Sequence, residues 1–381
     1  MSVNQIVGDA GLAMLGLSAC GAVYAVLAVW ALWRFLKRPA PASANRPSVL
    51  VLKPLHGEEP ELEANLASFC DTTYAGPVRM VLGAQDPSDP ALAIARRVKT
   101  DHPERDIAVV CDPRAHGANR KIGNLINMAA HGAGEVVVIS DSDTRLPPDG
   151  LDKIVAALEA PGVGLVYCLY RGRPAAGVWS RLAAMDINAR FAASVVVGQA
   201  LGAHPVLGPT MAIRSEVLNN IGGLDHLAEF LADDFELGRA VREAGYAIAC
   251  PSLVIDHLFP EASLRELVAH ELRWSRTVRL VQPGGYLGSV IMHFWPLALI
   301  GAALTGFSPA GLMALAGLTV LRLVQARVST RLIGGELGLW PLIPLRDLLS
   351  FWVFLAAIFG DRVEWRGNRL QVRRDGAIAA T

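Results

Sequence analysis

The stretch Val136-Val-Val-Ile-Ser-Asp-Ser-Asp-Thr-Arg145 places an apolar run directly before two aspartates that are one residue apart. A short β-branched run bounded by a glycine and an acidic turn is typical of a buried strand in a parallel sheet, which we predict over 135–140. Such strands present ligand sites at their carboxyl ends. Asp141 and Asp143 therefore have the position and the oxygen atoms to hold magnesium or manganese. The alternative is an acidic turn that caps the helix introduced by the prolines at 147–148.

The composition of the chain indicates a membrane protein. Its 381 residues suffice for two or three domains, or for one domain with membrane segments. Apolar residues make up 52%, above the usual range of soluble proteins. The 35 basic and 35 acidic residues leave no net charge, so no global field favours nucleic acid as a partner. The five cysteines are scattered without a Cys-x-x-Cys pair, which argues against a disulfide framework or a zinc site.

Residues 1–36 are predicted to form an amino-terminal transmembrane anchor. The run from Ala10 to Trp33 contains no charged residue and is long enough to cross ~30 Å of hydrocarbon. Basic residues follow this run and none precedes it, the reverse of a cleaved signal peptide. We therefore expect the amino end outside and the following residues in the cytoplasm. Residues 37–47, rich in proline and alanine, are predicted to form an extended linker.

Residues 48–262 alternate short apolar runs with amphipathic stretches, which predicts an α/β domain with a mainly parallel sheet. Strands are predicted at 49–53, 78–84, 107–111, 135–140 and 164–169. Helices are predicted at 59–69, 90–100 and 121–130, from the prolines at 147–148 to residue 158, and at 176–199. No Gly-x-Gly-x-x-Gly motif follows the first strand, so the usual dinucleotide-binding fold has no support.

The carboxyl-terminal part combines an amphipathic helix with apolar segments. Residues 263–283 are predicted to form an interfacial helix. The charge-free run 280–321 is too long for one span, so we predict a transmembrane hairpin over 284–326 with its turn at Gly306-Phe-Ser-Pro309. Prolines and charges interrupt the last apolar region. Residues 327–381 are therefore predicted to hold a re-entrant or interfacial segment and a basic cytoplasmic tail.

Two further groups are predicted at the edge of the sheet that carries the acidic turn. Asp86 follows the second strand, where it has the chemistry to bind a nucleobase or ribose or to cap the helix after it. The loop His116-Gly-Ala-Asn-Arg-Lys-Ile-Gly-Asn124 leads into a helix whose free amide groups and Lys121 would seat an anion. Because cations are unfavourable at a helix start, a bound phosphate would explain why Arg120 and Lys121 stand there.

Asp233 and Asp234 are predicted at the start of a helix that ends at Glu243. One of the two is expected to cap the helix. The other is a candidate general base, because two adjacent carboxylates in a partly dry site raise one pKa toward a useful range.

The segment His270-Glu-Leu-Arg-Trp274 lies on the predicted amphipathic helix, where its spacing places His270, Arg273 and Trp274 on one face. Arginine can bind a phosphate with two hydrogen bonds, and tryptophan can stack on a sugar or a lipid headgroup. A membrane-surface helix with an aromatic anchor is the alternative interpretation.

Taken in order, these motifs resemble the ceramide glucosyltransferase family. The resemblance is strongest to the bacterial branch of that family associated with hopanoid lipids. It rests on Leu52-Lys-Pro-Leu-His-Gly57, His116-Gly-Ala-Asn-Arg-Lys121 and the His270 segment, and it extends from the first anchor to Glu364-Trp-Arg-Gly367.

The resemblance implies a GT-A type domain flanked by transmembrane helices, in the inner membrane of a bacterium with the catalytic domain cytoplasmic. The implied reaction is the inverting transfer of a hexose from a UDP-sugar to a hydroxyl of a membrane lipid, either a hopanoid polyol or a ceramide. The implied cofactor is a divalent metal, magnesium or manganese.

The resemblance also implies a role for each site residue. Donor binding falls to Lys53, Glu58, Asp86, Asn119, Lys121 and Asp141, metal binding to Asp141 and Asp143, and catalysis to Asp234, Arg273 and Trp274. His270 and Trp274 belong to the motif that closes the site over donor and acceptor. The wider family has Gln or Arg where this chain has His270, and a neutral imidazole can still donate one hydrogen bond.

Three other classes were weighed against this hypothesis. A processive polysaccharide synthase shares these motifs but needs more than three spans to form a channel. A membrane-bound nucleotide-sugar or lipid-binding protein without activity would retain the fold, although all the proposed acidic groups are present here. A phosphotransferase has no support, because the chain lacks a Gly-x-x-x-x-Gly-Lys-Ser/Thr loop.

Overall fold

The computed structural model describes residues 2–39, 45–336, 338–360, 362–365, 368–373 and 376–379. Within these ranges an α/β domain packs against a set of apolar helices. Residues 40–44 of the linker predicted over 37–47 lie outside the described residues, as does the end of the Glu364-Trp-Arg-Gly367 segment.

The α/β domain is organised around a seven-stranded sheet. The strands of the domain are β1 (Val49–Pro54), β2 (Val78–Ala84), β3 (Asp106–Cys111), β4 (Val136–Ser140), β5 (Thr144–Arg145), β6 (Val163–Tyr167), β7 (Leu169–Pro174), β8 (Thr210–Arg214), β9 (Ala247–Ala249) and β10 (Val254–Phe259). The order in the large sheet is β3-β2-β1-β4-β8-β6-β9. Only β8 runs antiparallel to its neighbours, which confirms the mainly parallel sheet. Every residue of β1 and β4 is buried, because helices cover both faces of the central strands.

A small second sheet brings strand β10 beside the acidic turn. Its order is β5-β10-β7, with β10 antiparallel to β5 and parallel to β7. Because β5 begins directly after the Asp141-Ser-Asp143 turn, the pairing of Thr144 with His257 places a residue from far along the chain at that turn.

The helices of the α/β domain differ from prediction at two points, an unpredicted helix α8 (Ser215–Asn220) and an interruption of the helix predicted over 176–199. They are α2 (Leu62–Cys70), α3 (Ala91–Asp101), α4 (Arg120–Ala129), α5 (Gly150–Leu158), α6 (Gly177–Asp186), α7 (Ala192–Ala200), α8 (Ser215–Asn220) and α9 (Asp233–Glu243), after α1 (Val3–Leu36) at the amino terminus. The helix predicted over 176–199 is interrupted between α6 and α7 by a π-helical turn, Ile187–Phe191. In that turn the amide of Asn188 bonds both backbone groups of Gly172, and such a tertiary contact leaves no mark on helical periodicity.

The strand predicted over 164–169 is also divided. It ends at Tyr167, and Leu169 begins β7, which belongs to the second sheet. An apolar run does not show where a strand changes sheets, because both halves are equally buried.

Four segments among the described residues are long and apolar enough to cross a membrane, namely 3–36, 283–304, 309–332 and 340–358. The helices after the α/β domain are α10 (Leu264–Val281), α11 (Pro283–Gly288), α12 (Phe294–Leu304), α13 (Pro309–Leu332) and α14 (Ile343–Ile358). Helix α1 packs closely on the segment that leads into α12, because a Cβ on Gly21 would lie 2.4 Å from the carbonyl oxygen of Ile291. Small residues at such contacts are typical of helices that pack in lipid.

The charges that interrupt the last apolar region are paired inside the protein. Arg322 donates to both carboxylate oxygens of Asp347, at 2.8 and 2.7 Å. Arg346 on α14 forms an ion pair with Glu271 on α10 and donates to the carbonyl of Leu182 at 2.9 Å. These charges therefore do not exclude α14 from an apolar environment, contrary to the reasoning from sequence.

The described part of the tail returns to the α/β domain. Strands β11 (Arg362–Trp365), β12 (Asn368–Val372) and β13 (Ile378–Ala379) form a third sheet. The backbone N–H of Leu231 donates to the carbonyl of Gly376 at 3.0 Å, and that of Ile378 donates to Glu229 at 2.8 Å. The tail thus contacts the loop that leads directly into α9.

Candidate active site at the carboxyl edge of β4

The Asp-Ser-Asp turn is held from behind by Lys53. Its ammonium lies in the interior with no exposed surface and donates to the backbone carbonyl of Asp141 at 2.8 Å and to that of Thr144 at 3.3 Å. Burial lowers the pKa of Lys53 to about 7, although the carboxylates nearby oppose this. The prediction that Lys53 binds the donor is therefore corrected, because its donors are used inside the protein and it fixes the turn.

In front of the turn, Lys121 pairs with two carboxylates. Its Nζ lies 2.8 Å from Asp141 Oδ1 and 3.5 Å from Asp233 Oδ2. Burial alone would lower the pKa of Lys121, but the attraction of these carboxylates outweighs it and raises the pKa. Two protein carboxylates thus face Lys121, so a bound phosphate is not needed to explain this basic residue at the start of α4, and a phosphate contact of Lys121 stays a prediction.

Asp143 meets a residue that the sequence analysis missed. Asp143 Oδ2 lies 3.2 Å from Nε2 of His257, whose side chain is 7% exposed. Burial raises the pKa of Asp143, but the attraction of His257 outweighs it, so that the pKa falls below its ordinary value. The signal that was present is the polar pair Asp256-His257 inside the otherwise apolar run Val254-Ile-Asp-His-Leu-Phe259.

The acidic turn has the chemistry for a divalent cation. Asp143 Oδ1 is buried and has no hydrogen-bond partner in the described ranges, so one hard oxygen remains available. Burial raises the pKa of Asp141 despite Lys121, with further repulsion from Asp143 and Asp233. Among the described residues no group of three or more His, Cys, Asp or Glu side chains could enclose an ion. The two carboxylates of the turn, Asp141 and Asp143, fit magnesium or manganese. These ions bind few protein carboxylates and complete their shells with water and phosphate.

Asp234 is a half-buried carboxylate held by two backbone amides. The N–H of Gly208 donates to Oδ2 at 3.0 Å and that of Phe235 donates to Oδ1 at 2.8 Å. A Cβ on Gly208 would lie only 3.2 Å from Oδ2, so glycine permits this close approach. Burial, and next the charge of Asp233, raise the pKa of Asp234 to about 6. The arrangement gives a base that is ionised at neutral pH and accepts a proton more readily than an ordinary aspartate.

Neither aspartate is the residue that precedes α9, because the helix begins at Asp233 and follows Ala232. Asp234 nevertheless accepts from the N–H of Phe235 in the first turn as well as from that of Gly208, while Asp233 faces Lys121. Both carboxylates belong to the site.

Two of the predicted donor-binding residues, Asp86 and Glu58, are exposed in loops that follow strands β2 and β1. Asp86 is exposed after β2, and its Oδ1 accepts from the backbone N–H and hydroxyl of Ser88, which lowers its pKa. The capping role weighed for Asp86 falls instead to Asp89, which accepts from the N–H of Ala91 at 2.9 Å.

Asn119 serves as the amino-terminal cap of α4. Its Oδ1 accepts from the N–H groups of Lys121 and Ile122, and its Nδ2 donates to the carbonyl of Phe230 at 2.7 Å. Because the side chain has no exposed surface, these contacts use the amide within the protein. The structure thus places Asn119 in a supporting role, in which it positions Lys121 for Asp141.

Helix α10 brings the His270 segment next to the acidic turn. The ring of His270 lies 4.2 Å from that of Trp274, and the guanidinium of Arg273 lies 6.0 Å from the Trp274 ring. Trp274 in turn lies 6.4 Å from His257, which contacts Asp143. A continuous series of rings therefore connects the turn to the segment predicted to close the site.

Glu261 is a second site residue that the sequence analysis missed. It is 4% exposed, and its Oε1 lies 2.6 Å from Nδ1 of His270. Burial lowers the pKa of His270, so the ring is neutral at neutral pH. The single hydrogen bond that a neutral ring can donate is therefore directed to Glu261, not to a ligand as the sequence analysis expected.

The mainly parallel sheet flanked by helices is a fold of the GT-A type. The fold is similar to that of the mannosyltransferase PcManGT from Pyrobaculum calidifontis, solved in complex with GDP-Man and Mn2+. The two chains are 22% identical with a TM-score of 0.54, over 92% of this chain and 99% of the other.

The model of glycosyl transferase family 21 matches residues 13–378, and the chain belongs to that family. It is 23% identical over 349 residues to ceramide glucosyltransferase 3 of Caenorhabditis elegans. The matched region covers 87% of this chain and 74% of that relative. It is 22% identical over 352 residues to ceramide glucosyltransferase 1 of the same organism, with coverage of 87% and 73%. These relatives confirm the resemblance to the ceramide glucosyltransferase family, while its hopanoid branch remains a prediction.

Proposed function

We propose that this protein transfers a hexose, glucose or N-acetylglucosamine, from a UDP-sugar to a hydroxyl of a membrane lipid, with inversion at the anomeric carbon. The observation that carries the proposal is the half-buried carboxylate of Asp234, which the N–H groups of Gly208 and Phe235 hold in place and whose pKa is raised to about 6. Its neighbour Asp233 shares Lys121 with Asp141, so the base and the acidic turn belong to one connected cluster. The names of the relatives, which are ceramide glucosyltransferases, support a lipid acceptor.

In the proposed mechanism Asp234 removes the proton from the acceptor hydroxyl as its oxygen attacks the anomeric carbon opposite the departing nucleotide. One displacement without a covalent intermediate inverts the configuration, and it requires one base. Gly208 and Phe235 hold the Asp234 carboxylate in place, which limits the reorganisation needed during the reaction.

The other residues act on the leaving diphosphate. Asp141 and Asp143 would hold magnesium or manganese, which supplies positive charge to the diphosphate when bound. Lys121 adds a second positive charge, because its ammonium lies beside Asp141 and keeps its proton across the neutral range. Lys53 fixes the backbone of the turn so that both carboxylates keep their orientation. For Asp86 and Glu58 a contact with the nucleoside remains a proposal.

The position of the site relative to the membrane suits a lipid acceptor. We place the α/β domain in the cytoplasm of a bacterial cell, because basic residues follow α1 and none precedes it. The segment before α14 contacts this domain through Arg171, which donates to Gly334, and the tail after α14 pairs with residues 229–231. Helix α14 therefore begins and ends on the same side, which supports a re-entrant or interfacial position despite its length.

The proposal is tested with detergent-solubilised protein, several UDP-sugars, ceramide and bacteriohopanetetrol, with the product identified by mass spectrometry. The expected result is a single sugar added to one lipid, in a reaction that a metal chelator stops. A ladder of products would favour a processive synthase. No transfer with any pair, together with UDP-sugar binding, would favour a binding protein.

The role of Asp234 is tested by Asp234→Asn. We expect transfer to fall by about 10²- to 10⁴-fold, the usual contribution of a general base, while UDP binding is retained. Asp225→Asn is the matched control, because Asp225 is exposed nearby and lies outside the cluster. Equal losses of transfer and of UDP binding in Asp234→Asn would exclude the role of base.

A further inference from the structure

Glu261 and His270 form a buried pair at the edge of the proposed site. Glu261 follows β10, the strand that carries His257, while His270 lies on α10. The atoms Glu261 Oε1 and His270 Nδ1 are 2.6 Å apart, and only 3% of the Glu261 side chain is exposed. The pair thus joins the strand beside the acidic turn to the helix that carries Arg273 and Trp274.

The chemistry of the pair determines which nitrogen of His270 carries the proton. A carboxylate can only accept a hydrogen bond, so Nδ1 of the ring must donate. In a neutral imidazole the other nitrogen, Nε2, then carries a lone pair and acts as an acceptor. Nε2 has no hydrogen-bond partner among the described residues, and the His270 side chain is 24% exposed.

The lone pair restricts the ligand that Nε2 can meet. A diphosphate offers only acceptor oxygens at neutral pH, so it would face a lone pair without a proton between them. A hydroxyl group donates, and it suits the nitrogen. The ring of His270 contacts Trp274, which lies 6.4 Å from the ring of His257 at the acidic turn, so the nitrogen is near the proposed site of transfer.

We propose that Glu261 is a positioning residue that fixes His270 in its Nδ1–H form, so that Nε2 accepts a hydrogen bond from a substrate hydroxyl. That hydroxyl belongs either to the lipid acceptor or to the sugar of the donor. The inference rests on the proposed function, because it requires a hydroxylated substrate at this edge of the sheet.

The tautomer is tested directly by nitrogen NMR of histidine-labelled wild-type protein, with His270→Gln used to assign the resonance. We expect the Nε2 resonance of His270 to have the frequency of an unprotonated ring nitrogen, and to change in Glu261→Gln. A protonated Nε2 in the wild type would overturn the proposal. This measurement needs no substrate.

The effect on substrates is tested by steady-state kinetics of Glu261→Gln. The glutamine side chain can donate as well as accept, so it no longer fixes the tautomer of His270, and one substrate KM should rise by about threefold to tenfold. A higher KM for the lipid would show that the acceptor hydroxyl donates to His270. A higher KM for the UDP-sugar would show that a hydroxyl of the sugar does so. A change in kcat alone, or no change, would contradict the proposal.

A double-mutant cycle separates this role from a structural one. The glutamine of His270→Gln offers an acceptor oxygen that does not depend on Glu261, so Glu261→Gln should have no further effect on KM in that background. If the loss persists there, Glu261 acts on the fold and not through His270. Glu266→Gln is the matched control, because Glu266 caps the same helix without contact to His270.

Failure of this inference and failure of the proposed function give different results. A wild-type protein that transfers no sugar contradicts the proposed function and, with it, the contact between His270 and a substrate hydroxyl. The Nε2 resonance of His270 still decides the tautomer in that case. Normal transfer with no KM effect contradicts the inference alone.

Discussion

The proton-accepting role of Asp234 predicts that activity falls as the pH is lowered through about 6. The carboxylate is raised to a pKa of about 6 by burial and by the charge of Asp233. A base works only when it is deprotonated, so the acid limb of kcat/KM should follow the ionised fraction of Asp234. Acidification should therefore inactivate the enzyme well above the pH at which an ordinary aspartate titrates.

The magnitude follows from that pKa. With a pKa of 6, roughly nine-tenths of Asp234 is ionised at pH 7 and roughly one-tenth at pH 5, so kcat/KM should fall about tenfold between them. For an unshifted aspartate with a pKa of about 3.9, the loss over the same range would be less than about 10%. The two cases are easily separated.

The assay measures initial rates of lipid product formation at subsaturating substrate, between pH 5 and 8, with the divalent metal saturating at each pH. The metal must be saturating because protons compete with it for the carboxylates of Asp141 and Asp143. Enzyme held at pH 5 and returned to pH 7 should recover its activity, which excludes unfolding as the cause. The limb should move to lower pH in Asp233→Asn, because that change removes one of the two causes of the raised pKa.

Two results would refute the assignment. One is a profile that stays flat down to pH 5, which would show that no group with a raised pKa controls the reaction. The other is an acid limb at pH 6 that does not move in Asp233→Asn, which would assign the limb to a group other than Asp234.

Three further predictions concern metal binding and stability. Asp143→Asn should raise the metal concentration for half-maximal transfer by at least about tenfold, measured by metal titration, because it replaces a hard oxygen of the turn. Asn119→Ala should lower thermal stability by about 1–2 kcal/mol through loss of the α4 cap, measured by thermal unfolding in detergent. Asp347→Asn should destabilise by about 3–5 kcal/mol, because it leaves Arg322 buried with its ion pair broken. Glu243→Gln, in the exposed pair with Arg239, should change stability by less than about 1 kcal/mol in the same assay.

Local patterns predicted most elements as far as α5 to within a few residues, but gave no prediction for β5, β8, β9, β10 or α8. The strand at 78–84 has the predicted ends, and α9 ends at Glu243 as predicted. Such elements are readable because hydrophobic period and turn residues act over a few neighbouring positions. The position of the acidic turn followed for the same reason, since a parallel strand must end where its apolar run meets Asp141.

The prediction failed where a contact joins distant parts of the chain. The division of 164–169 between two sheets and the π-helical turn at 187–191 both depend on tertiary partners. The charges of α14 suggested a polar interruption, yet Arg346 and Asp347 are buried with partners on other helices. No local pattern carries this information, because each partner is remote in sequence.

The sequence by itself determined the α/β class, the membrane character, the acidic turn and the residues of the His270 segment, because these follow from composition and short-range periodicity. Only the tertiary structure decided what those residues do. It placed Lys53 behind the turn, set Lys121 between Asp141 and Asp233, and brought His257 to Asp143. The physical reason is that strand order and pairing decide which side chains meet at a sheet edge, and these long-range contacts fix burial, charge balance and hydrogen-bond direction.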